Sequence, residues 1–98
     1  MDIEDKLTRR FVQAIRRSYE PCPLIGPKWF RYNPSGKPAH FQFLGAAKLA
    51  KAASGVPRGA LARIMKNLNL RDLGARAEIA GQEIRVYLPE GAGQKGSA

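Results

Sequence analysis

Ninety-eight residues suffice for one domain with one modest hydrophobic core. Seventeen Lys and Arg against eight Asp and Glu leave a formal charge of +9, a balance that attracts polyanions and makes nucleic acid the first candidate partner. One Cys excludes an internal disulfide, one Cys with one His cannot build a zinc site, and no apolar run is long enough to span a bilayer.

Asp2 to Tyr19 reads as a helix, because Ile3, Leu7, Phe11 and Ile15 recur every four residues with Ala14 beside them. Arg9, Arg10, Gln13, Arg16 and Arg17 fall on the opposite face, while Asp2, Glu4 and Asp5 occupy the first turn, where the helix dipole favours anions. That arginine face suits phosphate contact or plain solvation equally. Pro21, Pro23, Gly26 and Pro27 end the helix in a stiff loop. Lys28-Trp29-Phe30-Arg31-Tyr32 then alternates basic and aromatic residues with high strand propensity; Asn33-Pro34-Ser35-Gly36 is a turn, and Ala39 to Phe43 a second short strand. Basic–aromatic interleaving is a pattern that stacks bases and holds phosphates. The favoured expectation is that Trp29, Phe30, Tyr32, Phe41 and Phe43 form an aromatic core, with Lys28 and Arg31 free to reach a ligand.

Leu44 to Ala53 predicts a short helix with a small-residue packing face of Leu44, Ala47, Ala50 and Ala53, and with Lys48 and Lys51 sharing another face. Ser54 is placed to cap the next helix, and Pro57 suits its first turn. That helix runs to about Leu70 on a buried stripe of Ala60, Leu61, Ile64, Met65 and Leu68. Arg63 and Lys66 point away from the stripe, Arg58 lies on its flank, and Gly74 closes the connection. Residues 75–88 form a hairpin around Gly81-Gln82, a two-residue type II′ turn. The register pairs Ile79 with Ile84 and Ala77 with Val86 inside, and Glu78 with Arg85 and Arg76 with Tyr87 outside. Glu78 merely neutralising Arg85 is the competing reading of that outer face. The Gly-rich residues 90–98 are expected to be a disordered tail, leaving residues 1–89 as a single domain.

Neither a Walker pattern nor G-x-G-x-x-G occurs, and the acidic residues form no closely spaced pair. Cys22 and His40 lack a third group to orient a nucleophile pair. No enzyme, cofactor or metal site is expected. A lone free Cys and no secretory leader point to a cytoplasmic setting. The helix pair followed by a hairpin fits a winged helix-turn-helix, with Arg58, Arg63, Lys66 and Asn67 on or beside a recognition helix and Arg76 or Arg85 on the wing. Lys51 and Ser54 fall where that template wants a small and an apolar residue, a mismatch that one extra turn residue repairs.

A second likeness covers nearly the whole chain. After an opening helix come Phe41-Gln42, Gly45-Ala46 and Leu49-Ala50-Lys51, then Pro57-Arg58 starting a helix with Ala60, Ile64 and Leu68, then Glu78-Ile79-Ala80-Gly81 before a final strand. In this order and spacing the chain resembles the N-terminal additional domain of arginyl-tRNA synthetases. It departs at Ala39-His40, where that family has Gly-Asp, at Leu44, where Asn is common, and at Gln82-Glu83-Ile84-Arg85 in place of Gly-Phe-Ile-Asn. The resemblance implies a fold and RNA binding near the outer corner of tRNA. It implies no ligase activity, because the catalytic domain's signatures are absent from these residues.

The chain is therefore expected to be α+β: an N-terminal helix, short aromatic strands, a helix pair and a C-terminal hairpin, forming a small antiparallel sheet with helices on one face. Its expected work is non-catalytic binding of structured RNA such as tRNA, through Lys48, Lys51, Arg58, Arg63 and Lys66, flanked by Arg9, Arg16, Arg76 and Arg85. The alternatives are a winged-helix DNA-binding protein, using helix 57–70 and hairpin 75–88, and a protein–protein adaptor with a basic face. A membrane partner is not expected, since no helix pairs a basic face with exposed Trp, Phe and Leu.

Overall fold

The first helix begins after Asp2, which caps it: the Asp2 carboxylate accepts from the Asp5 N–H at 2.9 Å. The computed structural model describes residues 2–20, 22–53 and 55–89, so Pro21, the proposed cap Ser54 and the expected tail lie outside the described residues. The elements run α1 (Ile3–Ser18), a 3-10 turn (Pro27–Trp29), β1 (Phe30–Tyr32), β2 (Phe41–Phe43), α2 (Ala46–Ala52), α3 (Pro57–Asn67), a second 3-10 turn (Arg71–Leu73), β3 (Arg76–Ala80) and β4 (Glu83–Tyr87).

The strands form one antiparallel sheet in the order β1-β2-β4-β3. The expected hairpin register holds at every pair, with Ile79 opposite Ile84 and Glu78 opposite Arg85. Gly81 takes φ 64°, the sign a primed two-residue turn requires and a Cβ disfavours. Because side chains alternate along a strand, this register puts Phe41, Phe43, Ile84 and Val86 on one face, all fully buried. Phe11 from α1 sits against Phe41, Phe43 and Phe30, with ring centroids 5.5–6.1 Å away. Leu49 of α2 and Leu61 and Ile64 of α3 complete the same core. The helices thus cover one face of the sheet and leave the other open.

Three local expectations are corrected. Lys28 and Trp29 belong to a 3-10 turn rather than to β1, because the Trp29 N–H donates to the Gly26 carbonyl. α2 buries Ala46, Leu49 and Ala50, while Leu44, Ala47 and Ala53 are exposed. Gly45 sets this phase: it lies so close to the Trp29 indole that a Cβ would overlap the ring. α3 begins after Val56, which supplies no side-chain cap. It ends at Asn67, three residues short of Leu70, so Leu68 is the C-cap, still packed against the core.

Candidate nucleic-acid interface

α2 buries Ala46, Leu49 and Ala50, which turns Lys48 and Lys51 to solvent; α3 buries Ala60, Leu61 and Ile64, which exposes Arg58, Arg63 and Lys66. The two helices pack on one another through a tight turn in which the Gly55 N–H donates to the Ala50 carbonyl at 2.7 Å. These five cations therefore share one layer, and the exposed residues described between them on the two helices, such as Ala47, Gly59 and Ala62, are small. The Arg63 guanidinium stands 5.4 Å over the Tyr19 ring, which anchors it at the seam with α1.

Charge is segregated along the chain. Lys28, Arg31, Lys37, Lys48, Lys51, Arg58, Arg63, Lys66 and Arg71 lie within residues 21–71, where no Asp or Glu occurs. That stretch alone carries a charge equal to the whole chain's +9. Reading the chain element by element misses this; a running charge count finds it.

α1 contributes differently from the expectation. Arg10 does not belong to a free arginine face: it forms a forked pair with Asp72, both N–O distances 2.5 Å, and also donates to the Asn69 carbonyl at 2.9 Å. The hydrogen bond from Arg10 holds the Asp72 carboxyl below its ordinary range, and the same bond raises the Arg10 pKa. Ser18 also faces α3, donating to the Ala14 and Arg63 carbonyls. Arg9 is exposed. Arg16, with Glu4, Thr8 and Val12, lines a groove of about 760 Å³ against residues 22–26 and Phe30. It therefore lies on the flank of α1 away from α3.

Arg76 and Arg85 lie on the open face of the sheet, opposite the helix layer. The register aligns Arg31, Gln42, Arg85 and Glu78 across all four strands. Asn33 Nδ2 donates to Gln42 Oε1 at 2.9 Å, and Gln42 Nε2 donates to Glu83 Oε2 at 2.5 Å. The same carboxylate oxygen stands 3.4 Å from Arg85 Nε. That nitrogen is buried and its contact lacks hydrogen-bond geometry, so the pair is a charge contact. The acid neutralising Arg85 is thus Glu83, two residues along the same strand, rather than the cross-strand Glu78. Glu83, then Tyr87, raise the Arg85 pKa. Arg76 stacks 4.9 Å over the Tyr87 ring. The expected site residues thus fall into three groups: five on the helix pair, Arg9 and Arg16 on α1, and Arg76 and Arg85 on the far side.

The aromatic residues belong to the core: Trp29, Phe41 and Phe43 are buried, and Phe30 and Tyr32 pack against them. Lys28 and Arg31 stay exposed. Asn67 is engaged, its Nδ2 donating to Ser18 Oγ and to the Arg63 carbonyl. His40 Nδ1 accepts from the Leu88 N–H at 3.0 Å, and Cys22 Sγ donates to the Pro23 carbonyl at 3.3 Å. Among the described residues no group of three or more His, Cys, Asp or Glu could hold a metal ion, and no helix is long and apolar enough to cross a membrane. The sequence matches no protein-family model, and no curated protein resembles it significantly.

Proposed function

We propose that this domain binds structured RNA, such as tRNA, without catalysis, through Lys48, Lys51, Arg58, Arg63 and Lys66. One observation carries the reading: the acid-free stretch 21–71 includes a helix pair that turns five of its nine cations to solvent. A polyanion meeting that surface releases its counterions, and no carboxylate within residues 21–71 opposes it. The resemblance to the arginyl-tRNA synthetase domain supports RNA over other polyanions. Arg9 and Arg16 extend the field along α1. Arg76 and Arg85 serve only a ligand that wraps to the far side, where Glu78 and Glu83 weaken their attraction.

The winged-helix reading has the element order in its favour, a helix pair followed by a hairpin. It has a poorly equipped reading helix. Such helices contact bases with their N-terminal residues, and the exposed positions there are Arg58, Gly59 and Ala62. Asn67 is already bonded within the fold. In the adaptor reading the same face meets an acidic protein.

The test is anisotropy of labelled tRNA titrated with wild type and with the Arg58→Ala, Arg63→Ala double variant over a range of salt. Losing two phosphate contacts flattens the log–log salt slope by about 1.8. Unchanged affinity and slope in the folded variant would remove these residues from the interface.

A further inference from the structure

Resting on that reading, we infer that the helix-pair surface takes base-paired RNA stems by their phosphate backbones, in preference to single strands and without regard to sequence. The first ground is what separates the cations. Ala47, Ala52, Gly59 and Ala62 are exposed between them and carry no polar side-chain atom. Base reading uses amides and carboxylates as well as arginines, because amino groups on bases need acceptors. Lys and Arg only donate. The cations can hold phosphates, and the exposed residues between them offer no side-chain acceptor to tell one base from another; the one amide described on these helices, Asn67, is half-buried and held through its Nδ2 by Ser18 and the Arg63 carbonyl.

The second ground is the fate of every aromatic face. Single strands are held by rings on which successive bases stack. Phe11, Phe41 and Phe43 are fully buried, and Trp29 is 8% exposed. Phe30 and Tyr32 lie on β1 and pack against the core, and the rings of Tyr19 and Tyr87 each carry a cation, Arg63 and Arg76. α2 and α3 themselves carry no aromatic residue that could serve as a stacking platform.

The third ground is charge density. Arg58, Ala62 and Lys66 stand at i, i+4 and i+8 of α3, so the two cations are separated by about 12 Å along its axis. Over that length a duplex carries about seven charges and a single strand about half as many. Small residues between the cations let a bulky double-helical backbone approach closely, whereas a flexible strand gains no stacking in return for being ordered.

The experiment measures full-chain binding to two RNA hairpin stems of unrelated sequence, to an oligouridine of equal phosphate number, and to tRNA. Both stems are expected to bind alike and more tightly than oligouridine. With all five cations engaged, stem affinity falls about 500-fold between about 50 and 200 mM salt, against about 130-fold for the strand. Oligouridine binding as tightly as the stems, or about a tenfold preference for one stem, would overturn the inference while leaving RNA binding intact. Failure to bind tRNA or either stem at low salt would overturn the proposed function and this inference with it. Ala62→Glu localises the contact. Ala62 is exposed on α3 and Glu is a good helix former, so the fold is retained. The variant is expected to weaken both stems; stem binding at wild-type strength would overturn the assignment to this surface.

Discussion

Gly45→Ala tests how the helix pair is seated. The Trp29 indole is nearly buried, packs edge-on against Phe43 at 6.2 Å, and lies on the Gly45 backbone where a Cβ would overlap it. The ring is rigid and hemmed in, and the Leu44 N–H is tied to the Trp29 carbonyl at 2.6 Å, so neither partner can step aside freely. Overpacking of this kind costs about 1–3 kcal/mol. For a domain of this size that lowers Tm by about 4–24 °C. Thermal unfolding followed by circular dichroism gives the loss, and Trp29 fluorescence reports displacement of the ring. Gly55→Ala is the control: a Cβ there meets nothing within 4 Å, so stability is expected to hold or rise by up to about 1 kcal/mol. In the background of Trp29→Leu, which empties the space beneath Gly45, the Gly45→Ala penalty is expected to shrink. A Gly45→Ala protein within about 0.5 kcal/mol of wild type, or one whose penalty persists unchanged without the indole, would refute the close-contact argument.

Gln42 is 5% exposed and bridges Asn33 to Glu83; Gln42→Leu leaves buried polar atoms short of partners and is expected to cost about 1–3 kcal/mol, read as a lower urea midpoint at unchanged slope. Asp72→Asn tests the Arg10 pair. The Asp72 pKa lies below its ordinary 3.8 in the fold, so the pair stabilises above that value, and this contribution is lost as pH falls through the lower folded value. Wild type and variant should therefore differ in Tm at neutral pH and converge in acid. Added salt should narrow the neutral-pH gap, because the Asp72 side chain is 58% exposed.

Much of this architecture was legible from local pattern. The β3–β4 register followed from alternation and one glycine turn, since a slip by one residue would send Ile84 and Val86 to the open face. α1 was legible because apolar residues spaced by four over 16 positions fix a helix phase. α2 was misread because seven residues, four of them Ala, look alike from every side; the contact that chooses its phase joins Gly45 to Trp29, across two strands and a loop. Arg10 finds Asp72 at a separation of 62 residues, which helical periodicity cannot foresee. Glu83 displaced Glu78 as the partner of Arg85 because Gln42, from a different hairpin, holds the Glu83 carboxylate. In the site, the five helix-pair cations were legible as charges on faces that bury nothing. Their separation from Arg76 and Arg85 was not, because it depends on which side of the sheet the helices cover.

The strand order has a consequence for how the chain assembles. Among the described residues β4 is the last strand, yet it lies inside the sheet, joining β2 to β3. Until it arrives, no strand pairing links β1–β2 to β3. Phe41 and Phe43 lack their neighbours Val86 and Ile84, and His40 lacks the Leu88 N–H that closes the seam. Pairings so distant in sequence form slowly compared with helices. A chain emerging from the ribosome can make its three helices and first hairpin early. It holds their aromatic surface open until the final strand is released, and that exposed interval is where a chaperone, or aggregation, would meet it.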